Sequence, residues 1–367
     1  MHESAIPEIR TDVLTGQKVI IAPLRSERPF AVMPDAVLSR SDDPFAEGNE
    51  CETPPERFAV RDSASMPNEP GWTLRVVPNR FPAVEPLRGA GLQPASIAAD
   101  DGRLEARTTE LPPPEPELKL FPCEPAIGEH DVVIECPDSR SRLADLSIEE
   151  IAAVFCAWRA RVQEIKAGGW YSSVAVFRNE GCSAGASLAH CHSQIIASKQ
   201  LTPLDAERHS REIGHRDQTG RDLIGDLIQA ERADASRVIC VNEYFTVLCP
   251  FASRTSWHVR FVPTDELPRS FADASDAALE DLAKLLKQIV GLLETAIGIP
   301  FSFNLILPHP RIDRSPAFRW MLDLLPRTGR IAGWELLSGV DIVTVAPEHA
   351  AEVLRRLKIN VPQISRL

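Results

Sequence analysis

Two predicted helices of similar length, 147–166 and 276–295, occupy matching places in the chain. Each follows a strand that stops at proline: 131–136 before Pro137, and 257–262 before Pro263. Each is followed by two more strands, 172–178 and 188–197 in the first half, 301–307 and 318–325 in the second. A β-α-β-β order met twice at similar spacing predicts a duplicated α+β unit, one per half. The 367 residues suffice for two such units at about 150 residues each.

The remaining segments fit around this frame. Residues 9–22 read as a hairpin closed by Leu14-Thr15-Gly16, 72–77 as a short strand, and 204–235 as charged helix. Residues 32–70 read as loop, and 83–128, with Pro112-Pro113-Pro114, as an irregular insertion. Ser147 and Glu150 form a capping-box pattern at the first helix. The formal charge of −12 argues against non-specific binding to nucleic acid or anionic membrane. No apolar run is long enough to span a bilayer and no signal peptide is visible, so a cytoplasmic protein is expected. Eight scattered Cys without a CxxC pair make neither a disulfide framework nor a zinc ribbon.

The densest chemistry lies between Val176 and Ala197. On a strand, His190, His192 and Gln194 would share one face. Before them, Asn179, Gly181, Gly185 and Ser187 make a loop suited to offering N–H groups and a hydroxyl to phosphate oxygens. A neutral imidazole with one nitrogen held as N–H and the other exposed is a competent nucleophile towards phosphorus. A nearby Gln can donate to the phosphoryl oxygens. Two His at i, i+2 also suit a zinc site, although no convincing partner ligands accompany them. Arg25 and Arg28 suit a diphosphate clamp, while Asn79 and Phe81 suit a hydrogen bond and a stacking ring for a nucleoside.

In order along the chain, Leu14 to Ile21, Arg25 to Pro29, Pro44-Phe45, Val77 to Ala83, Gly128 to Glu135, Phe177 to Ala197, Leu325-Pro326-Arg327, Ala332 to Glu335 and Ala346 to Arg355 resemble the galactose-1-phosphate uridylyltransferase family of the histidine-triad superfamily. The resemblance implies two histidine-triad-like units of antiparallel sheet flanked by helices, 1–203 carrying the nucleophile and 204–367. It implies that His192 takes up a nucleoside monophosphate while Gln194 holds the phosphoryl group. Asn179, Gly185 and Ser187 would contact phosphate or leaving group, and Arg25, Arg28, Asn79 and Phe81 the nucleotide. Arg330, Trp334 and Glu335 would meet the sugar phosphate, often across a homodimer interface.

The departures concern metal. Where the family carries Cys-Pro-Phe-Cys this chain reads Asp43-Pro44-Phe45-Ala46, and Ser139 stands for a histidine. His190 alone is retained among the implied zinc ligands, and Arg319-Trp320-Met321 replaces His-Trp-His in the second half. No metal and no cofactor are therefore expected. The leading reading is a transferase moving uridylyl from UDP-glucose to galactose 1-phosphate through a nucleotidyl-histidine. The alternatives are an ADP-sugar or dinucleotide phosphorylase using the same histidine, and a non-catalytic nucleotide-binding protein.

Overall fold

The computed structural model describes residues 6–27, 43–86, 120–310 and 319–357. Arg28, most of the 83–128 insertion and Phe318 lie outside them. A small sheet holds β1 (Glu8–Thr11) and β2 (Lys18–Ile21), the expected hairpin. The first half continues with β3 (Phe58–Arg61), β4 (Trp72–Pro78), β5 (Gly128–Ile134), α1 (Ile148–Gly168), β6 (Ser173–Glu180) and β7 (His192–Ser198). Helices α2 (Pro203–Thr219) and α3 (Leu223–Asp234) follow, so the expected division at 203/204 falls at the first turn of α2.

The second half repeats the order with β8 (Val238–Val241), β9 (Phe245–Leu248), β10 (Val259–Pro263), α4 (Asp276–Ile297), β11 (Phe303–Pro310) and β12 (Leu322–Pro326). Then come α5 (Gly333–Ser338), β13 (Asp341–Val343), which pairs in parallel with β2, and α6 (Pro347–Arg356).

The strands form one ten-stranded sheet in the order β3-β4-β5-β7-β6-β11-β12-β10-β9-β8. The second five mirror the first five about the β6–β11 seam, where eight residue pairs run from Phe303 opposite Glu180 to Pro310 opposite Ser173. The duplication also survives in detail. The N-cap serines Ser147 and Ser275 are 128 positions apart, each accepting from the backbone N–H three residues on. The 3-10 turns before them, Leu143–Asp145 and Phe271–Asp273, keep the same offset.

Why one sheet rather than two follows from burial. β6 and β11 are apolar on the face towards α1 and α4, through Val174, Val176, Leu305 and Leu307. The two helices pack against each other across the seam, so Phe155, Trp158, Leu282 and Leu286 belong to a single core. An unpaired edge at β6 would expose both a hydrogen-bonding ladder and that apolar face.

Three expectations change in position. The strand 188–197 starts at His192, because the glycine loop runs on through Cys191. The strand 318–325 starts at Leu322. The segment read as loop, 32–70, contains β3 paired with β4 among its described residues.

Candidate active site

β7 is where the chemistry gathers, and its alternation explains how. Ser193, Ile195 and Ala197 turn inward, Ser193 receiving a 2.7 Å hydrogen bond from the Trp158 indole N–H of α1. That leaves His192 and Gln194 on the opposite face. His192 is 7% exposed, with Phe45 edge-on at 5.3 Å between ring centres. Its Nδ1 lies 2.7 Å from the carbonyl oxygen of His190. A carbonyl only accepts, so Nδ1 carries the proton and Nε2 keeps its lone pair. Burial, with the Arg178 charge assisting, pushes the His192 pKa down to about 4, although the His190 carbonyl pulls the other way. The ring is thus neutral at neutral pH, as a nitrogen nucleophile requires.

Gln194 sits two residues along with its Oε1 2.8 Å from His130 Nε2 on β5. Asn79, just past β4, brings Nδ2 to 3.1 Å from the same nitrogen, and its Oδ1 accepts from Phe81 N–H at 2.8 Å. Asn179 on β6 and His192 on β7 each lie two residues past Phe177–Gln194, the last pair of their ladder, and so belong to the face that Gln194 occupies. The structure therefore brings together His192, Gln194, Asn79 and Asn179. Sequence reasoning missed His130 and Asn304 as members of this polar group; the period-two pattern of Gly128–Ile134 puts His130 on the face of Val132 and Ile134, and was the available signal.

Other predicted residues stand differently. His190 is not on the strand with His192 and Gln194; it ends the glycine loop. In that loop Gly181 and Gly185 take φ of +83° and +87°, and a Cβ at Gly185 would meet nothing within 4 Å, so conformation rather than space demands glycine there. The N–H groups of Ala184, Gly185 and Ala186 are spent on carbonyls of Gly181 and Cys182, so these three do not point at a phosphate as expected. Ser187 is exposed. Arg25 is exposed in the 3-10 turn Pro23–Glu27. The Phe81 ring is 83% exposed, with the Arg80 guanidinium 5.8 Å from its centre. Arg330 and Trp334 are exposed, and the Glu335 carboxylate caps α5 by accepting from Ala332 N–H. Among the described residues, no hydrogen bond or ion pair links these last three to His192.

The implied zinc position holds other chemistry. Asp43 accepts from the Ser139 hydroxyl at 2.7 Å and meets His190 Nδ1 at 2.8 Å, while His190 Nε2 faces the Cys136 carbonyl at 2.8 Å. Burial alone would raise the Asp43 carboxyl, but Ser139, His190 and the Phe45 N–H together hold it below the usual carboxylate range. Both imidazole nitrogens are engaged, Ala46 has no donor, and no group of three His, Cys, Asp or Glu gathers among the described residues. This donor set does not fit a tetrahedral zinc.

The second half carries a covered counterpart of the site. His258 Nε2 lies 3.2 Å from Asp323 as His130 lies beside Gln194, and Met321 stands where His192 stands. There α3 lays Ile224 and Ile228 over Met321, Val262 and Leu248. A cavity of about 150 Å³ remains beneath α3. Among the described residues, the first half keeps a histidine at this position, His192 beneath Phe45, where the second half has Met321 beneath α3.

The family model for the N-terminal domain of galactose-1-phosphate uridyl transferase matches residues 1–202. The chain is 28% identical over 365 residues to ADP-glucose phosphorylase of Arabidopsis thaliana, covering 98% of this chain and 95% of that one. It is 27% identical over 270 residues to the galactose-1-phosphate uridylyltransferase of Rattus norvegicus, 70% of each chain. The crystal structure of the Arabidopsis ADP-glucose phosphorylase with bound ADP-glucose superimposes with a TM-score of 0.74 at 26% identity, over 96% of this chain and all of that one.

Proposed function

The chain belongs to the galactose-1-phosphate uridylyltransferase family and is an enzyme of its nucleotidyltransferase type; from this premise we propose that it is an ADP-sugar phosphorylase working through a covalent nucleotidyl-histidine. The observation that carries the covalent step is His192 itself, neutral and hydrogen-bonded at Nδ1, with the Nε2 lone pair left for phosphorus. Nε2 attacks the α-phosphorus of the nucleotide sugar, and the bond to the bridging oxygen breaks to release the sugar 1-phosphate. Phosphate then attacks the adenylyl-histidine, the P–N bond breaks, and ADP leaves. Dividing the transfer in two lets one set of donors serve both steps. The nearly end-to-end similarity to an ADP-glucose phosphorylase supports the adenine nucleotide and the phosphate acceptor.

The family match supports a second reading, uridylyl transfer from UDP-glucose to galactose 1-phosphate. Intact-mass measurement after incubation with each donor separates the two. We expect an adenylyl adduct from ADP-glucose, absent in His192→Ala and discharged by phosphate. A uridylyl adduct discharged only by galactose 1-phosphate selects the second reading, and no adduct with either donor defeats both.

The enzyme is further proposed to work without zinc, the Ser139–Asp43–His190 hydrogen bonds holding the loop against β5 instead. Elemental analysis is expected to find no stoichiometric zinc, and dialysis against EDTA to leave Tm unchanged. A homodimer is supported by the exposed Ile331, Trp334, Leu336 and Leu337 around α5; light scattering at a protomer mass of 40.5 kDa tests it.

A further inference from the structure

We propose that His130, Asn304 and Arg327 are positioning residues, which lock the two amides flanking His192 with their NH2 ends towards the transferring phosphoryl group. The inference rests on the covalent-histidine reading for its purpose, and on hydrogen-bond direction for its content. Side-chain amides can turn over, so their direction is decided by neighbours that cannot.

On one side the fixed neighbour is the backbone N–H of Ala83, which donates to His130 Nδ1 at 3.1 Å. A neutral imidazole accepting there carries its proton on Nε2, which then donates to Gln194 Oε1 at 2.8 Å. The Gln194 NH2 is thereby turned away from His130 and remains a donor. Asn79 Nδ2 approaches the same Nε2, but its Oδ1 is committed to Phe81 N–H. A nitrogen that carries the proton cannot accept from Asn79 Nδ2, so that 3.1 Å approach is not a hydrogen bond in this tautomer, and Gln194 Oε1 is the acceptor at Nε2.

On the other side there are two fixed neighbours. The Arg327 guanidinium, donor only, bonds Asn304 Oδ1. The Ala184 carbonyl, acceptor only, takes one hydrogen of Asn304 Nδ2 at 2.9 Å. The second hydrogen goes to Asn179 Oδ1 at 2.7 Å, directly across the β6–β11 seam. Asn179 is left with its NH2 as donor, on the sheet face that His192 and Gln194 occupy. Each relay runs from an obligate donor to an amide whose free end is again a donor, as a phosphoryl group gaining charge in the transition state requires. The second relay also gives the C-terminal half a task at a site whose nucleophile lies in the other half.

Two measurements test this. In resting protein labelled with 15N-histidine, the His130 signal, assigned by its loss in His130→Gln, is expected to report a protonated Nε2 and a bare Nδ1. An Nδ1–H tautomer overturns the first relay whatever the enzyme's substrate. The second relay is tested by pre-steady-state nucleotidylation of Asn304→Asp and Asn304→Leu. A carboxylate at 304 still accepts from Arg327 but cannot donate, so Asn179 must turn its oxygen towards the phosphate. We expect kcat to fall on the order of 10²-fold in Asn304→Asp with KM for the donor changed less than about threefold. Asn304→Leu, structurally the harsher change, imposes no direction and should retain more activity than Asn304→Asp. Equal kcat in Asn304→Asp and wild type, or the reverse order of the two variants, overturns the second relay. If wild type forms no adduct with any nucleotide sugar, the functional reading fails, while the tautomer still judges the first relay.

Discussion

At His192 the two ring nitrogens have opposite duties, and both are met by local structure. Nδ1 is tied to a carbonyl two residues back, which needs only the turn that ends the glycine loop. Nε2 keeps its lone pair because burial, assisted by the Arg178 charge, keeps the ring neutral. The pH dependence follows. Nucleotidylation should stay flat through neutrality and lose activity towards pH 4, well below the ordinary histidine value of about 6.5. A single-turnover pH profile checks this, and an acid limb centred near 6.5 would contradict it. At the same scale, Gly185→Ala places a Cβ at φ +87° without a clash, at a cost of about 1–2 kcal/mol. The expected result is a modest loss in Tm with a larger loss in adduct formation, because the loop leads straight into His190 and His192.

Among the elements, α1 positions the site from behind. Its start is held by a reciprocal capping box between Ser147 and Glu150, and Glu150 also receives two hydrogen bonds from Arg140. Ser147→Ala should cost about 1 kcal/mol, read as a shift in the urea midpoint with little effect on KM. Trp158 ties the middle of the same helix to Ser193, between His192 and Gln194. Helix α3 plays the contrasting part: by covering Met321 it turns the second half's version of the site into core. The duplicated unit thus diverged through what lies on the sheet, while the strand order stayed the same.

Across the whole molecule, one sheet and one core join the halves, so they should unfold together. Calorimetry is expected to show a single transition, since separating the halves would open the β6–β11 ladder and the α1–α4 contact at once. Acid should weaken this unit early. His192 and His309 are both held by burial to about 4, and burial also lowers His258. With folded values below the unfolded one, the unfolded chain binds more protons between pH 6.5 and 4. Stability therefore falls as pH falls through that window. Denaturant midpoints at pH 7 and 5 check the direction, and His309→Gln, which removes one such proton, should flatten the slope.

The order of strands and helices, the twofold repeat, the capping box at Ser147 and the pairing of His192 with Gln194 were legible in the sequence, because each depends on residues within a turn or on the period of a single element. The departures from the family's implied zinc ligands are likewise read at single positions: Ala46 offers no donor atom and Ser139 no imidazole. Other features join residues far apart in the chain, and only the tertiary structure decided them. Burial of the β6 and β11 faces made two units into one sheet. In the glycine loop the N–H groups of Ala184, Gly185 and Ala186 close turns onto Gly181 and Cys182. His130 meets Gln194 across 64 positions and Asn304 meets Asn179 across 125. Such pairings are set by strand register, and register is fixed by which faces the whole sheet must bury.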